Sequence, residues 1–198
     1  MMIYHGTCAS LLDRVKRYGI IPRRKRPSRW PEYPSRPGNV YLTRNYGIHF
    51  AKAASEGRDG LLLGVDYTRL NPDRLYADED AIQQALDLDP MRISLIRYRR
   101  LGYGAQWSLD VLGNCSHRGT IRPQRAWVLK NLYNPAWLMA SDPSITLLNH
   151  SICGQWYAAT LRWMTQGCEG AMPQLVPESP YFPALEEFIR KNVEEVDV

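Results

Sequence analysis

The chain has 198 residues, 44% of them hydrophobic and 23% charged, with a formal net charge of +5 and a pI of about 9.1. That balance suits a globular protein with one well-buried core, and no apolar run reaches the roughly 18 residues a membrane span needs. Cys8, Cys115, Cys153 and Cys168 show no CxxC spacing, and no basic-then-apolar leader opens the chain; these features exclude a zinc signature and a disulfide framework and predict a cytoplasmic protein with reduced thiols.

Residues 2–6 read as a strand: Met2, Ile3 and Tyr4 lead into the polar turn His5-Gly6-Thr7. Ser10 is placed to cap a helix over residues 11–18, whose Leu11, Leu12, Val15 and Tyr18 share a face, and Gly19 stops it. Residues 22–38 carry five prolines and the basic residues Arg23, Arg24, Lys25, Arg26, Arg29 and Arg36. Such a segment is neither helix nor inner strand, and its length predicts a binding loop. Trp30 and Tyr33 in it read first as pinning it to the core and otherwise as stacking on a ligand.

Residues 40–43 read as a strand, 45–54 as a short helix with Tyr46 and Phe50 near one face, and 61–67 as a buried strand. An irregular stretch starts at Pro72, and its Asp73, Asp78, Glu79 and Asp80 read as a solvated acidic run with a helix cap, a metal site being the alternative. A helix follows over residues 80–86. Residues 91–112 are ambiguous, with Ile93, Leu95 and Ile96 allowing a strand and residues 107–112 a helix that ends at Gly113. Residues 115–121 and 126–129 read as two strands or as one strand with a bulge. Beyond Tyr133 the pattern turns helical and aromatic, with a final helix over residues 184–193. The expected organisation is an α+β core over residues 1–132, with a helical extension over 133–198 packed on it.

The polar turn at His5 combines a histidine, an approachable Gly6 backbone and the Thr7 hydroxyl. Tyr41 stands on a second apolar strand and Phe50 nine residues later. Two ring faces, a backbone open to close approach and an imidazole suit a flat heterocycle attached to a sugar. The basic cluster suits a diphosphate or a polyanionic partner, because guanidinium groups are forked and permanently charged.

The order His5-Gly6-Thr7, then Val40-Tyr41-Leu42-Thr43, then Phe50-Ala51 resembles the NAD-binding half of the ADP-ribosyltransferase fold. The similar branch has a His-Tyr-variable triad and holds the poly(ADP-ribose) polymerases and the RNA 2′-phosphotransferases. The resemblance spans residues 2–130 and implies a split antiparallel sheet. It implies that the Gly6 backbone holds the nicotinamide carboxamide, that Thr7 or Thr43 adds a hydroxyl, that Tyr41 and Phe50 sandwich the nicotinamide, and that His5 positions the ribose. Arg23 and Arg24 would take the diphosphate.

The polymerases carry a glutamate on a late strand, where residues 114–121 of this chain have no carboxylate. His117 is the first candidate for that third position and Asp110 the second. Without the glutamate, polymer synthesis lacks a group to activate the acceptor hydroxyl. The resemblance then implies a mono-ADP-ribosyltransferase of the glycosyltransferase class. It would act on a protein or nucleic acid held by Arg23, Arg24, Lys25, Arg26, Arg29 and Arg36, in the manner of a toxin, effector or phage-encoded modifier. An NAD-using RNA 2′-phosphotransferase and a non-enzymatic nucleic-acid or nucleoprotein binding module are the alternatives. No histidine or cysteine spacing calls for a metal.

Overall fold

A computed structural model describes residues 1–24, 36–44, 46–79, 95–132 and 190–198. Seven strands form one antiparallel sheet: β1 (Met2–Cys8), β2 (Asn39–Thr43), β3 (Gly60–Asp66), β4 (Leu75–Ala77), β5 (Asn114–Arg118), β6 (Arg125–Leu129) and β7 (Val193–Val196). Their order is β4-β5-β2-β1-β3-β6-β7. The helices are α1 (Leu12–Tyr18), α2 (Gly47–Ser55), α3 (Leu95–Arg100) and α4 (Ala105–Val111). This is the α+β class expected from the sequence. No helix among the described residues is long and apolar enough to cross a membrane.

The chain divides into two units. Met1–His5, Arg14–Arg44 and Gly64–Gln124 make the first, and Gly6–Asp13, Asn45–Leu63 and Arg125–Val198 make the second.

In the first unit β2 pairs with β5 from Asn39↔Arg118 to Thr43↔Asn114, and β4 pairs with β5 from Leu75↔His117 to Ala77↔Cys115. β1 is in register with β2 at Tyr4↔Thr43. Ile3, Val40, Leu42, Val65, Leu75, Leu109 and Cys115 bury their side chains here. Cys115 is a free thiol whose pKa burial raises above its ordinary value. Helix α1 stops at Gly19, whose φ of 76° fits glycine; a Cβ there would meet the Ile121 carbonyl oxygen at 2.5 Å.

Several expected details differ. Of the apolar face proposed for α1, Val15 is buried, whereas Leu11 and Tyr18 are exposed. Ser10 does not cap that helix: a 3-10 turn over Ala9–Leu11 precedes it, and the Ser10 hydroxyl turns to the Cys8 sulfur at 3.1 Å. The stretch after Pro72 yields the short strand β4. Leu95 and Ile96 lie in α3, which Arg99 ties to β4 through the Leu75 carbonyl and the Tyr76 ring, 4.8 Å away. The helix expected over residues 80–86 lies outside the described residues, as do residues 133–189 of the segment expected to turn helical.

In the second unit Leu61, Leu62 and Leu63 are all buried, the signature of a strand covered on both faces. Residues 190–192 are helical as expected, but the expected helix stops short of Val193, where a strand over Val193–Val196 begins and pairs with β6 from Ala126↔Val196 to Leu129↔Val193. Arg125 grips Glu195 with two nitrogens at 2.7 and 2.9 Å, and Lys130 meets Glu194 at 2.6 Å.

The hydrogen bonds from Arg125 hold Glu195 below the usual carboxylate range, against a smaller opposing effect of burial. A depressed carboxylate pKa stabilises above the unfolded value, about 4.3 for Glu, and that gain is lost as pH falls through the folded value. The Glu195→Gln variant should therefore be less stable than the native chain at neutral pH by about 0.5–1 kcal/mol, because the pair is largely solvated. The difference should vanish in acid. Denaturation midpoints of both proteins across that range check this, and a gap that persists at low pH would contradict it.

Candidate active site

The first unit gathers the chemistry at β2. Tyr41 lies opposite Ser116 in the β2–β5 register. Its hydroxyl donates to Oε1 of Glu79 and accepts from the Arg36 backbone N–H at 2.7 Å. The same N–H lies 3.2 Å from Glu79 Oε1, and the Arg36 Nε lies 3.7 Å from it. Glu79 is fully buried, and its second oxygen has no hydrogen-bond partner among the described residues. Burying a carboxylate is expensive unless donors and an opposite charge meet it. The Tyr41 hydroxyl, the Arg36 N–H and the Arg36 guanidinium supply these on one side only.

Glu79 is the residue that sequence reasoning missed. It was grouped with Asp73, Asp78 and Asp80 as a solvated run, yet Asp78 is also buried. The cause is β4: Leu75–Ala77 pairs with β5 and carries the next two residues inward, where the Asp78 N–H donates to the Ser108 Oγ at 3.0 Å. Asp73 does sit at an exposed turn, its N–H capped by the Asn71 side chain at 2.9 Å. The apolar triplet Leu75-Tyr76-Ala77 just ahead of the acids was the available signal.

His5 joins this group through the main chain. Its Nδ1 lies 2.9 Å from the Tyr41 carbonyl oxygen. Burial lowers the imidazole pKa, and the bond to Tyr41 opposes that shift in part. A neutral ring that donates from Nδ1 keeps its Nε2 lone pair as an acceptor. From the Tyr4↔Thr43 register, strand alternation sets His5 on the opposite sheet face from Tyr41, so the two are linked by backbone and not by side-chain contact.

The two candidates for the third position lie elsewhere. His117 pairs with Val40, one residue out of step with Tyr41, so its side chain leaves the sheet on the other face. Asp110 sits on α4, where Arg44 takes one oxygen at 3.0 Å and Gln106 the other at 2.8 Å. The carboxylate that meets the Tyr41 hydroxyl is that of Glu79. Thr43 is buried and its hydroxyl donates to the Gly113 carbonyl at 3.2 Å, a bond that ties β2 to the turn before β5.

Of the basic residues, Arg23 accepts the Gly38 N–H at its carbonyl, 2.8 Å away, which closes the base of the loop. Arg24 is exposed. Arg36 is directed at Glu79, so it serves the Tyr41 cluster. Lys25, Arg26 and Arg29 lie outside the described residues.

The second unit holds Gly6, Thr7 and Phe50. A Cβ on Gly6 would lie 2.3 Å from the Ala51 nitrogen and 2.4 Å from the Gly47 oxygen. The close approach that glycine permits is therefore made by helix α2 of the chain itself. Thr7 is half-buried. The Phe50 ring meets His49 and Tyr46 edge-on, with centroids 5.5 and 6.5 Å away. No family model, curated protein or solved structure matches this chain, so the motif order and the geometry around Glu79 carry the functional reading.

Proposed function

We propose that the chain is a mono-ADP-ribosyltransferase that moves ADP-ribose from NAD to a protein or nucleic-acid acceptor in the cytoplasm. The observation that carries this reading is the cluster of His5, Tyr41 and Glu79: a neutral imidazole fixed to the backbone of an aromatic residue, whose hydroxyl is in turn held by a buried carboxylate. In the reaction the nicotinamide–ribose bond breaks, nicotinamide leaves with the bonding electrons, and an acceptor nucleophile bonds the ribose carbon and loses its proton. The transition state is cationic at the ribose, as in glycoside hydrolysis.

Tyr41 offers a face to the nicotinamide ring. His5 is a positioning residue: from the other sheet face its Nδ1–H holds the Tyr41 carbonyl. Glu79 is a positioning residue that fixes the Tyr41 ring, and its negative charge favours a cationic ribose nearby. The split antiparallel arrangement of the similar fold, and its toxin- or effector-like context, belong to this proposal.

The test is release of nicotinamide from NAD by the purified protein, alone and with a cell extract, followed by mass spectrometry of the extract for an added ADP-ribose. Release in either condition supports the enzyme. A protein that releases none, yet binds RNA or DNA with an affinity that falls steeply with salt, is the binding module that the pI of about 9.1 also permits.

A further inference from the structure

A cavity of about 280 Å³ lies wholly within the first unit, at the C-terminal ends of β3 and β5. Arg69, Arg74 and Arg122 line it, together with His117. The volume sits at the low edge of ordinary ligand pockets, too small for a dinucleotide and enough for a phosphate group with a small body attached.

Its wall is built. Gln124 spans the rim, accepting the Asp66 N–H at 2.6 Å and donating to the Arg122 carbonyl at 2.7 Å. The Arg122 guanidinium donates to the Lys16 carbonyl at 3.2 Å, which fixes its direction while leaving its charge uncompensated. Arg74 Nη1 lies over Gly119: a Cβ there would come within 3.5 Å of it. Asp66 is the one carboxylate lining the cavity. It is engaged by the Thr68 N–H and hydroxyl at 3.0 and 2.9 Å and faces Arg69 at 3.8 Å. No ion-pair partner meets Arg74 or Arg122 among the described residues.

His117 supplies the independent sign of a ligand. It is 4% exposed, and its Nδ1 is buried with no partner among the described residues. Burial and the nearby Arg74 both lower its pKa. A buried polar atom without a partner is rare and costly. Here it stands beside Arg74, which has no counter-ion among the described residues, and one anion relieves both.

We propose that this cavity binds the phosphate of a small phosphorylated ligand, held by Arg74 and Arg122 with His117 Nδ1 as the inner hydrogen-bonding partner. Arginine forks match a tetrahedral oxyanion in charge and geometry. The site stands apart from the Tyr41–Glu79 cluster and does not depend on the NAD reading.

The experiment is calorimetric titration of the full chain, without NAD, with inorganic phosphate, ribose 5-phosphate and ribose, while His117 ring resonances are followed by NMR. Both phosphate compounds should bind saturably and move the His117 signals, and ribose should do neither. Tighter binding of ribose 5-phosphate assigns the cavity to a phosphorylated metabolite. Equal or weaker binding assigns it to free phosphate. The exposed changes Arg74→Ala and Arg122→Ala should each weaken phosphate binding about tenfold or more, as loss of a charge-assisted contact does. Absence of saturable binding overturns the proposal. So does undiminished binding in the Arg74→Ala/Arg122→Ala double variant, which would place the phosphate elsewhere on this basic chain.

Discussion

Replacing His5 or Tyr41 by alanine should slow nicotinamide release by about thirty- to a thousandfold, which corresponds to roughly 2–4 kcal/mol of lost transition-state stabilisation. Two further variants separate chemistry from scaffolding. Tyr41→Phe keeps the ring face but strips the donor from a fully buried carboxylate, so stability should fall by about 1–3 kcal/mol. If the ring face is what the nicotinamide needs, activity at temperatures where this variant stays folded should largely survive. Glu79→Gln retains the shape and removes the charge. It should leave the fold intact while lowering the rate, because the group beside a cationic ribose is then neutral. Steady-state kinetics and circular dichroism on the same preparations read both quantities. Full activity in His5→Ala or in Tyr41→Ala would remove the site assignment. Native rates in Glu79→Gln would reduce that carboxylate to a strut.

Gly6→Ala should be among the most damaging single changes in the chain, costing about 4 kcal/mol or more. The added methyl would lie 2.3 and 2.4 Å from two backbone atoms of α2, and 2.8 Å from a third, the Phe50 carbonyl carbon. Main-chain atoms inside a helix cannot rotate aside as a flexible side chain can. Either α2 lifts from β1 or the strand bends. Chemical denaturation should show a lower midpoint and loss of buried Ile48 and Ala51 packing. Near-native stability would mean that α2 does not press on β1 as described. Loss of activity in this variant carries no information about nicotinamide binding, since helix and strand fail together.

How much of this was legible in the sequence depended on the physical signal at each element. The strands around Tyr4, Tyr41 and Leu62 and the helix after Gly47 carried clear apolar patterns, and Gly19 and Gly113 marked real ends. β4 was too short to show a period at Leu75–Ala77. The Leu95-Ile96 pair fits strand or helix equally, and a run that brief cannot be assigned by periodicity. β7 is Val-Glu-Glu-Val, a poor strand by composition; what makes it one is Arg125 on the facing strand and Lys130 just past its end, 70 residues from Glu195 in the case of Arg125. At the site, His5 and Tyr41 were legible because they stand where apolar strands turn polar. Glu79 was not, because its burial follows from pairing between β4 and β5, which no local pattern reveals.

The strand order has a consequence for the chain as it is made. β2 carries Val40 and Leu42 and sits in the interior of the sheet, yet its partner on one side, β5, follows far along the chain: Asn39 and Ser116, which touch across this ladder, are 77 residues apart. At ordinary synthesis rates of about 5–20 residues per second, β2 waits on the order of ten seconds with that edge unpaired. An open edge with apolar residues is a template for other strands. During that interval nascent chains on one message compete with β5 for the same hydrogen bonds. Slower elongation between β2 and β5 should lower the soluble yield of this protein without altering a single residue of it.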